Sequence, residues 1–139
     1  MLVRLIYASR APSPHPSDLS SILHTSRTRN PRFGITGALC FLDGAYMQYL
    51  EGEEREVRAL YATIERDRRH QSPRLLELVG IPARFFPAWS MALLKWDKRL
   101  ETLFHGLVTG QVLDLYETPG ADAAAIFRAL ARTPNWRTA

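Results

Sequence analysis

GITGALCFLDGAYMQYLEG, residues Gly34 to Gly52, decides how this chain folds. Two apolar runs are joined by Asp43-Gly44, a dipeptide that supplies the positive φ angles of a tight hairpin turn. The segment therefore reads as a β-hairpin. One residue in it is out of character. Gln48 sits inside the second run, between Tyr46-Met47 and Tyr49-Leu50. A carboxamide there must find partners or cost about 1–3 kcal/mol. A primary amide carries both donors and an acceptor, so it can read, or reverse, the hydrogen-bond pattern of something facing it. The hairpin thus poses the question of a ligand.

Strand and helix patterns alternate on either side of the hairpin. Leu2 to Arg10 is a strand, with Val3, Leu5 and Tyr7 on one face and Arg4, Ile6 and Ala8 on the other. The proline-rich stretch from Ala11 to Pro16 ends it. Ser17 is suited to cap a helix, Asp18 suits its first turn, and Leu19, Ile22, Leu23 and Ser26 recur at helical spacing. Asn30-Pro31 closes that helix, because the residue before proline is pushed out of the α region. A second helix is expected from Glu53 to Asp67, with Val57, Leu60, Tyr61 and Ile64 as its apolar stripe. Leu75 to Phe86 and Trp89 to Trp96 read as two further strands. The order β-α-β-β-α-β-β is a split βαβ arrangement, an α+β, ferredoxin-like fold with two helices on one face of a sheet. In this topology the first and third strands are neighbours, which sets Tyr7 beside Gln48. Residues 97–139 differ in character. Leu100, Leu103, Phe104 and Leu107 make one short amphipathic helix, and Asp122 to Thr133 makes another. Their stripes suit the sheet face that the first two helices leave bare.

Composition narrows the function. The chain has 139 residues, enough for one compact domain with its own core. No run approaches a membrane span, and the apolar start MLVRLIYASR is too short for a secretory signal. Cys40 is the only cysteine, which rules out an internal disulfide or a cysteine metal cluster and suits a cytoplasmic setting. His15, His24, His70 and His105 are scattered, with no HExxH pairing. There is no GxSxG elbow, P-loop or GxGxxG after the first strand, so an enzyme is not expected. Tyr7 alone is an ordinary amphipathic core residue, Met91 a gap-filler and Asn30 a helix terminator. Gln48 alone is anomalous. The residues by themselves support a ligand-binding domain. They also leave open a small regulatory domain that binds RNA through Arg27, Arg29 and Arg32.

The order of motifs goes further. LIYASR (Leu5–Arg10), SRTRN (Ser26–Asn30) with GITGAL (Gly34–Leu39), QYLEG (Gln48–Gly52), RDRRH (Arg66–His70) and RFFPAWSM (Arg84–Met91) succeed one another in register. In this the chain resembles the BLUF family, blue-light sensors that use FAD, over Leu2 to Trp96. The resemblance implies a photosensory domain at 1–96 and a helical extension at 97–139. It implies FAD held without a covalent bond between the two helices that follow the first and third strands, with FMN or riboflavin as substitutes. Tyr7 would donate an electron and a proton to the photoexcited flavin. Gln48 would bridge tyrosine and flavin and rearrange its amide. Asn30 would hold the polar edge of the ring, with Arg29 reaching the same edge. Asp67, Arg69 and His70 match positions near the ribityl chain and ring edge. Met91 and Trp89 would relay the amide change, with Met91 turned inward beside Gln48 and Trp89 towards the rim. Output would pass to a separate downstream protein or through a homo-oligomer, with neither membrane nor nucleic acid as partner.

Overall fold

Asp43 and Gly44 adopt φ angles of +49° and +76°, so Leu42 and Ala45 pair directly and the hairpin closes as its sequence predicts. The computed structural model describes residues 1–11, 16–107 and 114–137, apart from the side chains of Pro16, Ser17, His105 and Leu107. The capping role expected of Ser17 lies outside these residues. Strand β1 (Leu2–Arg10) is followed by helix α1 (Pro16–Arg29), a 3-10 turn (Asn30–Phe33), and the hairpin of β2 (Thr36–Leu42) and β3 (Ala45–Glu53). Helix α2 (Glu54–Glu65), β4 (Gln71–Gly80) and β5 (Ala92–Leu94) come next. Helix α3 (Lys98–Leu107), a second 3-10 turn (Leu115–Glu117), α4 (Gly120–Leu130) and β6 (Trp136–Arg137) complete the order.

The strands form one sheet in the order β4-β1-β3-β2-β5-β6. Neighbours are antiparallel except β2 and β5, which run parallel. This is the α+β, ferredoxin-like arrangement expected from the element order. Side-chain alternation divides the interior into two cores, one on each face of the sheet. Val3, Leu5, Tyr7, Leu39, Tyr46 and Leu50 join Ile22, Leu23, Val57 and Ile64 beneath α1 and α2. On the opposite face Ile6, Ala38, Cys40, Met47 and Tyr49 meet Leu100 and Phe104 of α3 and Ile126, Phe127 and Leu130 of α4. Both faces of β1 and β3 are thus covered. A Cβ on Gly120 would stand 2.6 Å from the Leu76 carbonyl oxygen, so glycine at the start of α4 permits its close approach to β4.

Three expectations need correction. The strand expected at Leu75 to Phe86 begins earlier, at Gln71, and ends at Gly80. β4 is an edge strand, and Pro73 falls at the register shift between Ala8 and Arg10, where it has no partner on β1. The strand expected at Trp89 to Trp96 is Ala92–Leu94 alone, so Trp89 and Met91 lie before it in an irregular segment, not on a strand. Pro82 and Pro87 cannot donate to a ladder, and the buried Glu51 carboxylate takes the Phe85 and Phe86 N–H groups at 2.6 Å each. Leu103 faces solvent, at 37% exposure, whereas Leu100 and Phe104 fill the core. Leu107, counted in the same stripe, has a side chain outside the described residues.

Candidate functional site

Tyr7 and Gln48 stand directly opposite one another in the β1–β3 register, on the face covered by α1 and α2. Both are buried. The Tyr7 hydroxyl donates to Gln48 Oε1, and Gln48 Nε2 donates to Met91 Sδ at 3.2 Å. Burial raises the Tyr7 phenol well above its ordinary pKa of 10, and the neighbouring Tyr61, Tyr46 and Asp67 add to the effect. Tyr7 is therefore a neutral donor at any physiological pH. A thioether is a weak acceptor, so the amide is firmly held at its oxygen and loosely at its nitrogen.

The row ends at a cleft between the two helices. Ile22, Thr25, Ser26 and Arg29 of α1 form one wall, and Leu60, Thr63 and Ile64 of α2 form the other. Each set recurs at helical spacing, so each is a single face of its helix. Gln48, Asn30, Asp67, Arg69 and His70 supply the polar groups. A second hollow shares Arg29, Asn30, Leu60 and Thr63 and continues the cleft towards Phe33 and Glu56.

The polar lining is held in place. Asn30, buried at the start of the 3-10 turn, donates from Nδ2 to the Ser90 carbonyl at 3.1 Å. Asp67 and Arg69 form an ion pair at 2.5 Å, and the Arg69 guanidinium holds the carboxyl below its usual range. Arg69 also donates to Ser21 on α1 at 2.8 Å, tying the two sides of the cleft together. His70 is buried, which lowers its pKa to about 4, and its Nδ1 lies 2.8 Å from Ser9 Oγ. It is a neutral ring at pH 7. Tyr61 lies 5.3 Å from Tyr7, ring centre to ring centre, with burial pushing its phenol up to about 12.

Of the residues singled out in the sequence, Arg29, Asn30, Gln48, Asp67, Arg69 and His70 line one cleft, with Tyr7 and Met91 behind Gln48. Trp89 does not join them. It stacks on Phe86 at 5.0 Å and meets Trp136 at 5.2 Å, packed against the opposite core. The wall residues Thr25 and Thr63 went unread, and Ser26 was read only as part of the first helix's stripe. Their signal was the helical spacing itself, which cannot say that two helices stand apart.

A model of the family described as sensors of blue-light using FAD, BLUF, matches residues 2–92. The chain belongs to that family. It is 36% identical over 92 residues to the photoactivated adenylate cyclase subunit beta of Euglena longa, covering 65% of this chain and 11% of the relative. It therefore spans a small part of that protein's length. Among solved structures, BlsA in its ground state aligns with a TM-score of 0.88 at 28% identity, covering 99% of this chain and 93% of that one. The photo-activated state of BlsA aligns with a TM-score of 0.87 at 29% identity, covering 97% and 98%. Klebsiella pneumoniae BlrP1, solved with FMN and cyclic diGMP, aligns with a TM-score of 0.65 at 33% identity, covering 74% of this chain and 29% of that one.

The cleft fits a flavin. Ile22 on one wall and Leu60 and Ile64 on the other give a flat aromatic ring an aliphatic side chain on each side, and Gln48, Asn30 and Arg29 offer hydrogen-bonding groups in the same cleft. Among the described residues no helix is long and apolar enough to cross a membrane, and no group of side chains could hold a metal.

Proposed function

We propose that this chain is a blue-light photoreceptor that binds FAD non-covalently in the cleft between α1 and α2. The buried row from Tyr7 through Gln48 to Met91, open to the cleft at the amide, carries this reading. Residues 1–96 form the sensory unit and 97–139 the extension. The flavin, when bound, supplies the blue absorption and, once excited, an acceptor for one electron. Asn30 and Arg29 hold its polar edge, and Asp67, Arg69 and His70 border the ribityl side.

Tyr7 is the source of that electron. Its phenol holds its proton in the dark, and oxidation makes that proton strongly acidic. The proton would leave along the bond already made to Gln48 Oε1, the amide giving up one Nε2 proton in exchange to the bound ring that takes the electron. Gln48 rearranges, releasing Met91 Sδ, and the electron and proton return to Tyr7. No covalent bond has changed. The signal is a new hydrogen-bond pattern worth about 1–3 kcal/mol, enough to bias a partner protein and too little to drive a reaction. Output to a separate cytoplasmic protein, or through self-association, follows from that scale. The RNA-binding reading has no support in the sheet, because Tyr7, Tyr46 and Tyr49 on its central strands are all buried instead of exposed for stacking.

Purified protein tests the reading directly. It should be yellow, release flavin on denaturation, and show the mass of FAD in the released fraction. A colourless chain that takes up neither FAD nor FMN would end this account.

A further inference from the structure

The tripeptide Trp89-Ser90-Met91 crosses the sheet between the two cores. Its consecutive carbonyls accept from three different elements: Gly37 N on β2 at 2.8 Å, Asn30 Nδ2 at 3.1 Å, and Arg27 Nε on α1 at 3.0 Å. The Arg27 guanidinium does more than close this set. Its Nη2 donates to the carbonyl of Arg137 on β6 at 2.9 Å. One side chain thus spans the residue that touches the Gln48 amide and the last strand of the sheet. We propose that Arg27 is a positioning residue that couples the Gln48–Met91 contact to β6, so that light loosens the attachment of the C-terminal strand. The proposal rests on the photoreceptor reading above.

Three observations carry it. First, β6 is weakly attached. It has two residues, pairs with β5 through Leu93↔Arg137 and Leu94↔Trp136, and is flanked by Lys95 N to the Asn135 carbonyl at 2.8 Å and by Asn135 Nδ2; beyond these it has the Arg27 bond and the Trp136 side chain. An element with so few bonds belongs to the low-stability end of a fold, where a small bias shifts a population. Second, two polar ties hold Met91 on this side among the described residues: its sulfur to Gln48 and its carbonyl to Arg27. A turn of the Gln48 amide removes the first and leaves the second to transmit the adjustment. Third, the same tripeptide reaches β6 on the far face, where Trp89 packs on Trp136, whose Nε1 donates to the Leu130 carbonyl at 2.9 Å. Movement of Trp89-Ser90-Met91 therefore acts on β6 from both faces of the sheet.

Guanidinium chemistry matters here. Arg presents donors in a rigid planar fork, so one group can hold two carbonyls at fixed separation. A lysine ammonium is a single point and cannot span them on the same terms. Arg27→Lys should consequently resemble Arg27→Met instead of restoring coupling.

The experiment uses the flavin-loaded chain, its Arg27→Met and Arg27→Lys variants, and two readouts on the same samples. One is the light-minus-dark absorption spectrum. The other is amide exchange of peptides covering 92–94 and 135–137, in darkness and under blue light. In the wild type, illumination should speed exchange at 135–137 several-fold. In both variants the absorption shift should persist, dark exchange at 135–137 should be about tenfold faster for the loss of a charged hydrogen bond, and the light–dark difference there should vanish. A merely structural arginine would raise the dark rate and leave the difference in place, and that result would overturn the proposal. So would a wild-type chain that shifts its absorption without any change at 135–137. Absence of the shift in the wild type would overturn the photoreceptor reading, and the coupling with it.

Discussion

Glu51→Gln is the substitution that probes how the Met91 segment is held. The Glu51 side chain is fully buried, and its two oxygens take the Phe85 and Phe86 N–H groups at 2.6 Å each. Glutamine has the same shape but turns one acceptor into an NH₂ donor, which then faces an N–H. One buried N–H loses its partner, at about 1–3 kcal/mol, and the surviving bond falls from charge-assisted to neutral, at about 1 kcal/mol more. The expected total is about 2–4 kcal/mol. For a chain of this size that corresponds to a fall in Tm of about 10 °C. Urea and thermal unfolding measure the global loss, and amide exchange at Phe85 and Phe86 shows whether the opening is local. With residues 81–91 loosened, the light-induced absorption shift should recover faster in darkness, because Met91 Sδ is less firmly placed against Gln48. A loss below about 0.5 kcal/mol, with Phe85 and Phe86 still protected, would refute the assignment of Glu51 as the clamp.

Asn30→Ala should weaken flavin retention, read as faster release on dilution, while leaving the shift of the flavin that stays bound. Its loss also frees the Ser90 carbonyl, so the variant's stability should be measured alongside. His70 gives a pH signature. Its folded pKa of about 4 lies below the ordinary 6.5, so the unfolded chain binds the extra proton between those values and stability falls as pH drops through that window. The loss between pH 7 and pH 5 should be about 2 kcal/mol by urea unfolding, and His70→Gln should flatten it. Asp67, held low by Arg69, loses its contribution only at lower pH and leaves that window clear.

Much of this was legible in the chain because the relevant signals are local. Asp43-Gly44 named the turn, alternation in Leu2–Arg10 put Tyr7 on one face, and parity along β3 put Gln48 on the same face. What escaped was set by contacts distant in sequence. Phe85, Phe86 and Trp89 have strand propensity, yet Glu51 intercepts the Phe85 and Phe86 N–H groups from more than thirty residues away. Parity then failed for Trp89 and Met91. On a regular strand they would share a side, whereas here they fall into opposite cores. Arg27 read as one of three surface arginines, because donation from a side chain to remote carbonyls leaves no pattern in sequence. The second sheet face was anticipated for the C-terminal helices from their stripes, but β6 was not, since two residues carry no periodicity.

The light-minus-dark absorption spectrum of the flavin-loaded wild type, Tyr7→Phe and Gln48→Leu tests the central claim most directly. All three should bind flavin, since Asn30, Arg29 and both helix walls remain, and Gln48→Leu gives up only one of the hydrogen bonds offered to the ring. The wild type should shift its flavin band to the red under blue light and return in darkness. Tyr7→Phe has no phenolic proton to give and Gln48→Leu has no amide to turn, so both should hold their flavin without any shift. A normal, reversible red shift in either variant would contradict the account.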